Sequence, residues 1–160
     1  LAAEGLDFAI RFGDGSWQGL QADALMAAPL AVLCAPAVAA RVRRPQDLAH
    51  ETLLRSYRAE DWPGWFAAAG LDCPAIRGPV FDSSRLMVEA AVQGAGVALA
   101  PPSMFERELQ EGRLLRPLAI EVMTGSYWLT RLRSRPVSPA MALFRDWLLA
   151  EAGAGAPSAG

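Results

Sequence analysis

Three consecutive polar residues, Asp82-Ser83-Ser84, stand where a predicted strand meets a predicted helix. A helix start carries unpaired backbone N–H groups and the positive end of the helix dipole. With two hydroxyl groups beside them, these donors can bind an acidic or hydrogen-bond-accepting ligand. The alternative role of Ser84 is to cap the helix. This polar corner is the first candidate binding site of the chain.

The elements around the corner predict a βαβ unit. Residues 78–81 form a short apolar strand, residues 85–93 follow a helical pattern, and Gly94-Ala95-Gly96 separates that helix from the apolar strand 97–100. A crossover of this length is typical of parallel strands and of a right-handed connection. In open α/β sheets, ligands bind at the carboxyl ends of such strands, where the corner lies.

The residue pattern gives little support for catalysis or for cofactor binding. The single histidine, His50, stands on a short surface helix far in sequence from any serine in a nucleophile setting, and residues 81–84 do not form a GxSxG elbow. Gly94-Ala95-Gly96 lacks the third glycine of a dinucleotide fingerprint and follows a helix. We expect no catalytic activity and no cofactor.

Metal and redox motifs are equally weak. Cys34 and Cys73 are far apart in sequence, which favours two free thiols over a disulfide. The loop at Gly13-Asp14-Gly15 lacks the regularly spaced oxygen ligands of a calcium loop and is interpreted as a turn. We expect no metal site.

Composition limits the possible partners. The chain has 160 residues, of which 52% are hydrophobic and 20% are charged, and no apolar run reaches the length of about 20 residues that spans a bilayer. All 15 basic residues are arginine, and the formal net charge is -2. The balance predicts a soluble protein without a membrane segment and without nucleic-acid binding of its own.

The remaining pattern predicts short elements in alternation. We expect strands at 7–12, on both sides of Pro29, at 52–57 and at 127–129, and helices at 62–69 capped by Asp61, after Ser103 in a capping box, and after Ser138 as N-cap with Pro139 at the first helical position. Trp62, Trp65 and Phe66 lie at helical spacing and are expected in a core, with a stacking platform as the alternative.

Two extended segments bracket the middle of the chain, which predicts two lobes. The expected first lobe combines residues 1–30 and 121–152, the second lobe spans 31–120, and the Gly, Ala, Pro and Ser-rich tail 153–160 is expected to be disordered. A ligand cleft between the lobes would follow from this arrangement.

Four stretches resemble the effector-binding domain of LysR-type transcriptional regulators: residues 7–13, 45–48, 94–99 and 144–148. More narrowly, residues 1–15, 55–58, 78–100 and 127–132 are similar to the AmpR type, which regulates chromosomal β-lactamase genes. The resemblance implies an α/β, two-lobe periplasmic-binding-protein-like (type 2) fold. It also implies that the first lobe is N-terminally truncated and that the DNA-binding helix-turn-helix domain lies outside this chain.

The resemblance further implies a cytoplasmic, dimeric sensor that binds cell-wall muramyl peptides in its cleft. A UDP-linked muramyl pentapeptide would favour repression, and anhydromuramyl peptides would favour activation. The family pattern assigns ligand contacts to Ser84 and Tyr127, and a further pocket threonine would lie upstream of Leu1. Interlobe packing is the alternative role for Tyr127.

Asp82 and Ser83, next to Ser84 in the sequence, and also Phe12 and Gly13, complete the set of candidate ligand contacts. DNA would be contacted only through the missing domain. An extracytoplasmic solute-binding protein of the same fold is the main alternative function.

Overall fold

A computed structural model of the chain describes residues 5–154, which divide into two units. The first unit combines both ends of the chain (Leu1–Ala28 and Gly125–Gly160), and the second is the continuous middle (Pro29–Thr124). The boundaries differ from the expected lobe boundaries because residues 121 and 122 pair with a strand of the second unit, not with the first.

The elements follow one another in short steps. Within residues 5–154, the strands are β1 (Ala9–Gly13), β2 (Leu20–Ala27), β3 (Leu30–Cys34), β4 (Arg55–Ser56), β5 (Val80–Phe81), β6 (Val97–Ala100), β7 (Glu121–Val122) and β8 (Ser126–Leu132). The α-helices of this described part are α1 (Pro36–Ala39), α2 (Asp61–Ala68), α3 (Ser84–Val92), α4 (Glu106–Gln110) and α5 (Pro139–Ala154). Short 3-10 helices occupy Pro45–His50 and Pro102–Met104. None of the helices within residues 5–154 is both long and apolar enough to cross a membrane.

The first unit is an antiparallel sheet with one long helix. The strand order is β1-β8-β2, and α5 packs against β2. The Ser138 hydroxyl accepts a hydrogen bond from the Met141 N–H at 3.2 Å, and Pro139 is the first helical residue, so the predicted N-terminus of α5 is confirmed. A bidentate pair of Arg145 with the Asp23 carboxylate (2.8 and 2.7 Å) fixes α5 to β2.

The second unit contains the larger core. Its antiparallel sheet has the order β6-β3-β7, and every residue of β3 is buried. Trp62, Trp65 and Phe66 of α2 are buried among the residues of this core, and the two indole N–H groups donate to the carbonyl oxygens of Leu54 (2.8 Å) and Ile120 (3.2 Å). The prediction of a core role for these aromatics is confirmed, because buried rings cannot serve as a stacking platform.

The two other sequence-based helix starts are wrong. Helix α2 begins at Asp61 itself, and Glu60 is its N-cap without a side-chain hydrogen bond. The Asp61 carboxylate is only 4% exposed and is used inside the fold, as described below. Helix α4 begins at Glu106 after Phe105, so Ser103 lies in a preceding 3-10 turn and not in a capping box.

Two further expectations differ in extent. Of the strand predicted at 52–57, only Arg55 and Ser56 form a ladder, with an isolated bridge from Leu53 to Val97. At the other end, α5 continues to Ala154, so Gly153 is helical rather than part of a disordered tail. The rest of that predicted tail, residues 155–160, lies outside the described residues.

Candidate functional site

The polar corner of the second unit lies between β5 and α3. Ser83 is the N-cap of α3 in extended conformation (φ -132°, ψ 127°), and Ser84 is the first helical residue. The Ser83 carbonyl accepts the first helical hydrogen bond from the Met87 N–H at 3.0 Å. No side-chain cap is made, so Ser84 does not act as the helix cap. In the described part of the chain, neither serine hydroxyl has a hydrogen-bond partner.

The backbone donors of this corner are also available. The N–H groups of Ser84, Arg85 and Leu86 have no acceptor within residues 5–154. Asp82 precedes them with an exposed side chain, and both serines are half-buried. Two hydroxyl groups and three aligned N–H groups together can hold a carboxylate, an amide carbonyl or a similar acceptor.

The predicted βαβ connection is confirmed, but its two strands are not direct neighbours. The segment 52–56 runs between them, because the Arg55 N–H donates to the Pro79 carbonyl (2.9 Å) and the Leu54 N–H to the Val97 carbonyl (2.9 Å). Both β5 and β6 are parallel to this segment. The carboxyl end of β4 therefore lies beside the corner that follows β5.

Two glycines allow the segment 52–56 to lie close to the chain before β5 and before β6. A Cβ atom on Gly78 would lie 1.9 Å from the Leu53 carbonyl oxygen, and one on Gly96 would lie 2.2 Å from that of Thr52. Real Cβ atoms do not approach oxygen at such distances, so both positions require glycine. These glycines set the position of the strand that leads to Asp82 and Ser84.

A small cavity lies where β4 ends. Its volume is about 150 Å³, and it is lined by Arg55, Ser56, Tyr57, Arg58, Ala59, Trp62, Ile76 and Val80. Tyr57 is 64% exposed at this place, with the Arg58 guanidinium 5.3 Å from its ring centroid. In the sequence, residues 55–58 stood out only by family resemblance, since the pattern does not show which arginines have carboxylate partners.

A buried polar cluster supports the wall of this cavity. The Asp61 carboxylate accepts a hydrogen bond from the Ser56 hydroxyl (2.8 Å) and from Nε of Arg58 at both oxygens (3.1 and 3.0 Å). Ser56 also accepts the Arg58 N–H at 3.0 Å. A carboxylate between a hydroxyl and a guanidinium fixes the loop after β4, which holds Tyr57 in place.

A second, larger cavity of about 270 Å³ lies at the opposite ends of the same strands. It is lined by Leu48, Ala49, Glu51, Thr52, Leu53 and the six residues 74–79. Glu51 is the carboxylate in this lining, and it forms a bidentate pair with Arg41 (2.8 and 2.9 Å). Its charge is therefore already balanced.

The remaining candidates gather in the first unit. Tyr127 of β8 stands opposite Phe12 of β1, and the two rings meet edge to face with centroids 5.3 Å apart. The Gly13 carbonyl accepts the indole N–H of Trp128 at 2.9 Å. A Cβ atom on Gly13 would lie 2.7 Å from the ring of Trp17, so the loop after β1 folds back over this glycine.

The six predicted contacts therefore fall into two groups. Asp82, Ser83 and Ser84 lie in the second unit, and Phe12, Gly13 and Tyr127 lie in the first. His50 is exposed at the end of its 3-10 helix. Within residues 5–154, no group of three or more His, Cys, Asp or Glu side chains could hold a metal ion.

Both cysteines are free thiols, as predicted. Cys34 is buried in β3, and burial raises its pKa to about 11. In the first unit, the hydrogen bond from Arg145 lowers the pKa of Asp23 below its ordinary value. Neither effect lies at the polar corner.

Comparison with protein families identifies the chain. Residues 1–153 match the LysR substrate binding domain. The chain belongs to this LysR family. Its sequence is 60% identical over 151 residues to the transcriptional activator AmpR of Pseudomonas aeruginosa, covering 93% of the chain and 51% of that protein. It is 58% identical over 149 residues to AmpR of Citrobacter koseri, covering 93% of the chain and 52% of that protein. The chain therefore spans about half the length of these LysR relatives.

Solved LysR structures support the same placement. The chain matches the effector domain of AmpR from Pseudomonas aeruginosa with a TM-score of 0.92 and 60% identity, covering 96% of this chain and 75% of that one. It matches the AmpR effector binding domain from Citrobacter freundii with a TM-score of 0.92 and 42% identity, covering 96% and 78%. The predicted α/β, periplasmic-binding-protein-like fold and the AmpR type are confirmed.

A third LysR structure is a variant of the Citrobacter freundii domain, matched with a TM-score of 0.91 and 42% identity over 94% of this chain and 77% of that one. Its three substitutions replace a threonine by valine, a serine by alanine and a tyrosine by phenylalanine. Each of these changes removes one hydroxyl group.

Proposed function

We propose that this chain is the ligand-sensing part of a cytoplasmic AmpR-type regulator that binds cell-wall muramyl peptides and controls transcription of a β-lactamase gene. The observation that carries the proposal is the 60% identity to AmpR of Pseudomonas aeruginosa over 93% of the chain. The regulator would act as a homo-oligomer and would contact DNA through a separate helix-turn-helix domain. The relatives described above are named as transcriptional regulators, which favours sensing over catalysis and over solute transport.

We propose Ser84 and Tyr127 as the principal ligand contacts. The two substituted residues of the Citrobacter freundii variant, the serine and the tyrosine, are 43 positions apart, and so are Ser84 and Tyr127. The third substituted residue is a threonine that precedes the serine in that variant. At the distance that separates those two residues, its counterpart here would precede Leu1. This agreement supports the role of a hydroxyl group at each position.

The chemistry of the two groups fits a muramyl peptide. Such a ligand carries carboxylates and amide carbonyls, which accept hydrogen bonds from a hydroxyl and from the unpaired N–H groups at the start of α3. Tyr127 offers a hydroxyl and an aromatic ring held against Phe12. Asp82 and Ser83, next to Ser84, and Gly13, in the strand that pairs with the strand of Tyr127, complete the proposed contacts.

Calorimetric titration of the natural full-length protein with an anhydromuramyl peptide and with a UDP-linked muramyl pentapeptide tests the proposal. Ser84→Ala and Tyr127→Phe are each expected to weaken binding about fivefold or more, since each removes one ligand hydrogen bond worth about 1 kcal/mol. Ser103→Ala, an exposed serine on a 3-10 turn, is the matched control and should bind like the parent protein.

Two results would contradict the proposal at different levels. Undiminished affinity in both Ser84→Ala and Tyr127→Phe would refute the assignment of the contacts and leave the ligand class intact. The absence of heat from either ligand with the parent protein would refute the ligand class itself.

A further inference from the structure

The cavity at the end of β4 is lined by an arginine that has no carboxylate partner among the described residues. Arg55 lines the cavity, and its side chain makes one hydrogen bond, from Nε to the Gly78 carbonyl at 2.7 Å. No acidic side chain within residues 5–154 forms an ion pair with it. A partly buried guanidinium whose charge is unbalanced is a favourable site for an anion.

The position of Arg55 is fixed by its neighbours. Its backbone N–H donates to the Pro79 carbonyl at 2.9 Å, in the pairing of β4 with β5. Because Nε is bound to Gly78, the guanidinium is oriented before any ligand arrives, and its two terminal nitrogens have no partner in the described part of the chain. Two parallel N–H groups in this geometry match a carboxylate.

The other charges around the cavity do not cancel that of Arg55. None of the eight residues that line the cavity is acidic, and the Asp61 carboxylate beside it already accepts hydrogen bonds from Nε of Arg58 and from the Ser56 hydroxyl. The Arg58 and Asp61 charges therefore balance each other. Among the lining residues the charge of Arg55 remains unbalanced, so the lining carries a net positive charge.

The cavity lies beside the polar corner. The register pairs Arg55 with Val80 and Ser56 with Phe81, so the residues that follow the two strands, Tyr57 and Asp82, lie at the same edge. The volume of about 150 Å³ is below the range of about 300–1,000 Å³ typical of sites that enclose a whole drug-sized ligand. It suits one end of a longer molecule.

We propose that Arg55 binds a carboxylate of the peptide part of the effector in this cavity, with Tyr57 at its rim as a flat wall. This assignment rests on the proposed function, and it adds a specific anchor for the acidic end of the ligand. The corner at Ser83 and Ser84 would then hold another part of the same molecule. The arrangement would favour an acidic peptide over a neutral one of equal size.

A two-ligand titration tests the assignment on the natural full-length protein. The probes are an anhydromuramyl tripeptide and the same compound with its peptide carboxylates converted to amides. Arg55→Gln is expected to weaken binding of the acidic probe about tenfold or more and to leave the affinity for the amidated probe unchanged. Arg55→Lys keeps the charge without the planar fork and is expected to lose less than Arg55→Gln.

Arg43→Gln is the matched control. It removes the same charge from an exposed arginine whose side chain has no partner within residues 5–154, and it should not affect either affinity. Thermal unfolding of the two Arg55 variants measures how far loss of the hydrogen bond to Gly78 destabilises the protein. Arg55→Lys decides the question if Arg55→Gln is poorly folded.

Three outcomes overturn the assignment. Equal losses for both probes in Arg55→Gln would indicate a structural effect, and equal affinities of that variant and the parent for the acidic probe would show that Arg55 makes no contact. In both cases the proposed function stands. Failure of the parent protein to bind either probe would refute the proposed function together with this anchor.

Discussion

Replacement of Gly78 by alanine should separate β5 from the segment 52–56. The added Cβ would lie 1.9 Å from the Leu53 carbonyl oxygen and 2.8 Å from the Leu53 carbonyl carbon. Ordinary contacts of this kind require about 3.4 Å or more, so the backbone must move by more than 1 Å. The atom in the way is backbone, which cannot rotate aside as a side chain would.

The cost follows from the bonds that this movement breaks. The Arg55 N–H bond to Pro79 (2.9 Å) and the Arg55 Nε bond to Gly78 (2.7 Å) both join the segment to β5. A neutral backbone bond contributes about 1 kcal/mol, a bond from a charged donor about 1.5–3 kcal/mol, and overpacking costs about 1–3 kcal/mol. Because these contributions overlap, we expect Gly78→Ala to lower the free energy of unfolding by about 3 kcal/mol.

Urea denaturation followed by far-ultraviolet circular dichroism measures this change. Gly64→Ala is the control, because Gly64 lies inside α2 and its added Cβ would be 3.8 Å from the nearest atom, a Val122 methyl. That variant should be more stable than the parent by up to about 1 kcal/mol, since alanine favours helix. Equal midpoints for Gly78→Ala and the parent would refute the argument from close approach.

Three further predictions concern individual side chains. Asp61→Ala should cost about 3 kcal/mol, because it removes the buried carboxylate that binds the partly buried Arg58 guanidinium, as chemical denaturation can show. Asp23→Asn should cost no more than about 1 kcal/mol near neutral pH, because Arg145 is 34% exposed. Since the folded-state pKa of Asp23 is lowered, this contribution is complete above the ordinary value of 3.8 and disappears as the pH falls below it, which denaturation at several pH values would show. Cys34, buried and with a pKa of about 11, should react with a thiol reagent at pH 8 only after unfolding.

Each of these three predictions has a control residue in the same protein. Asp72→Ala removes an exposed carboxylate without a partner in the described residues, and a loss equal to that of Asp61→Ala would contradict the buried-pair argument. Asp146→Asn removes the other, more exposed partner of Arg145 and should cost less stability near neutral pH than Asp23→Asn. Cys73 is only half-buried and should react first; faster reaction of Cys34 would refute its burial.

The sequence predicted the parts of the fold that depend on local chemistry. The start of α5 at Ser138 and Pro139 is encoded by residues within one turn, and the structure has it where the sequence predicts. The glycine stop at Gly94 is of the same kind, since its φ of 79° favours glycine. Signals of this type act over a few residues and need no knowledge of the rest of the chain.

The errors arose where a distant residue competes for a side chain. Asp61 has the composition of a cap, but Ser56 and Arg58 bind its carboxylate inside the fold. The insertion of segment 52–56 between β5 and β6 depends on contacts some 25 to 45 residues apart along the chain, which periodicity does not encode. The candidate site shows the same distinction. The polar corner at Ser84 can be predicted from residues next to it in the sequence. The lack of a carboxylate partner for Arg55 within residues 5–154 depends on where all the acidic side chains lie in the fold.

The tryptophans give each unit its own optical signal. Trp62 and Trp65 are buried in the second unit, whereas Trp17, Trp128 and Trp147 belong to the first, and Trp147 is 56% exposed. Buried indoles emit at shorter wavelength and are protected from acrylamide, so emission of the second unit is expected on the blue side and that of Trp147 on the red side. Loss of each component during denaturation would then report on one unit, and Trp147→Phe would remove the most exposed emitter of the first unit.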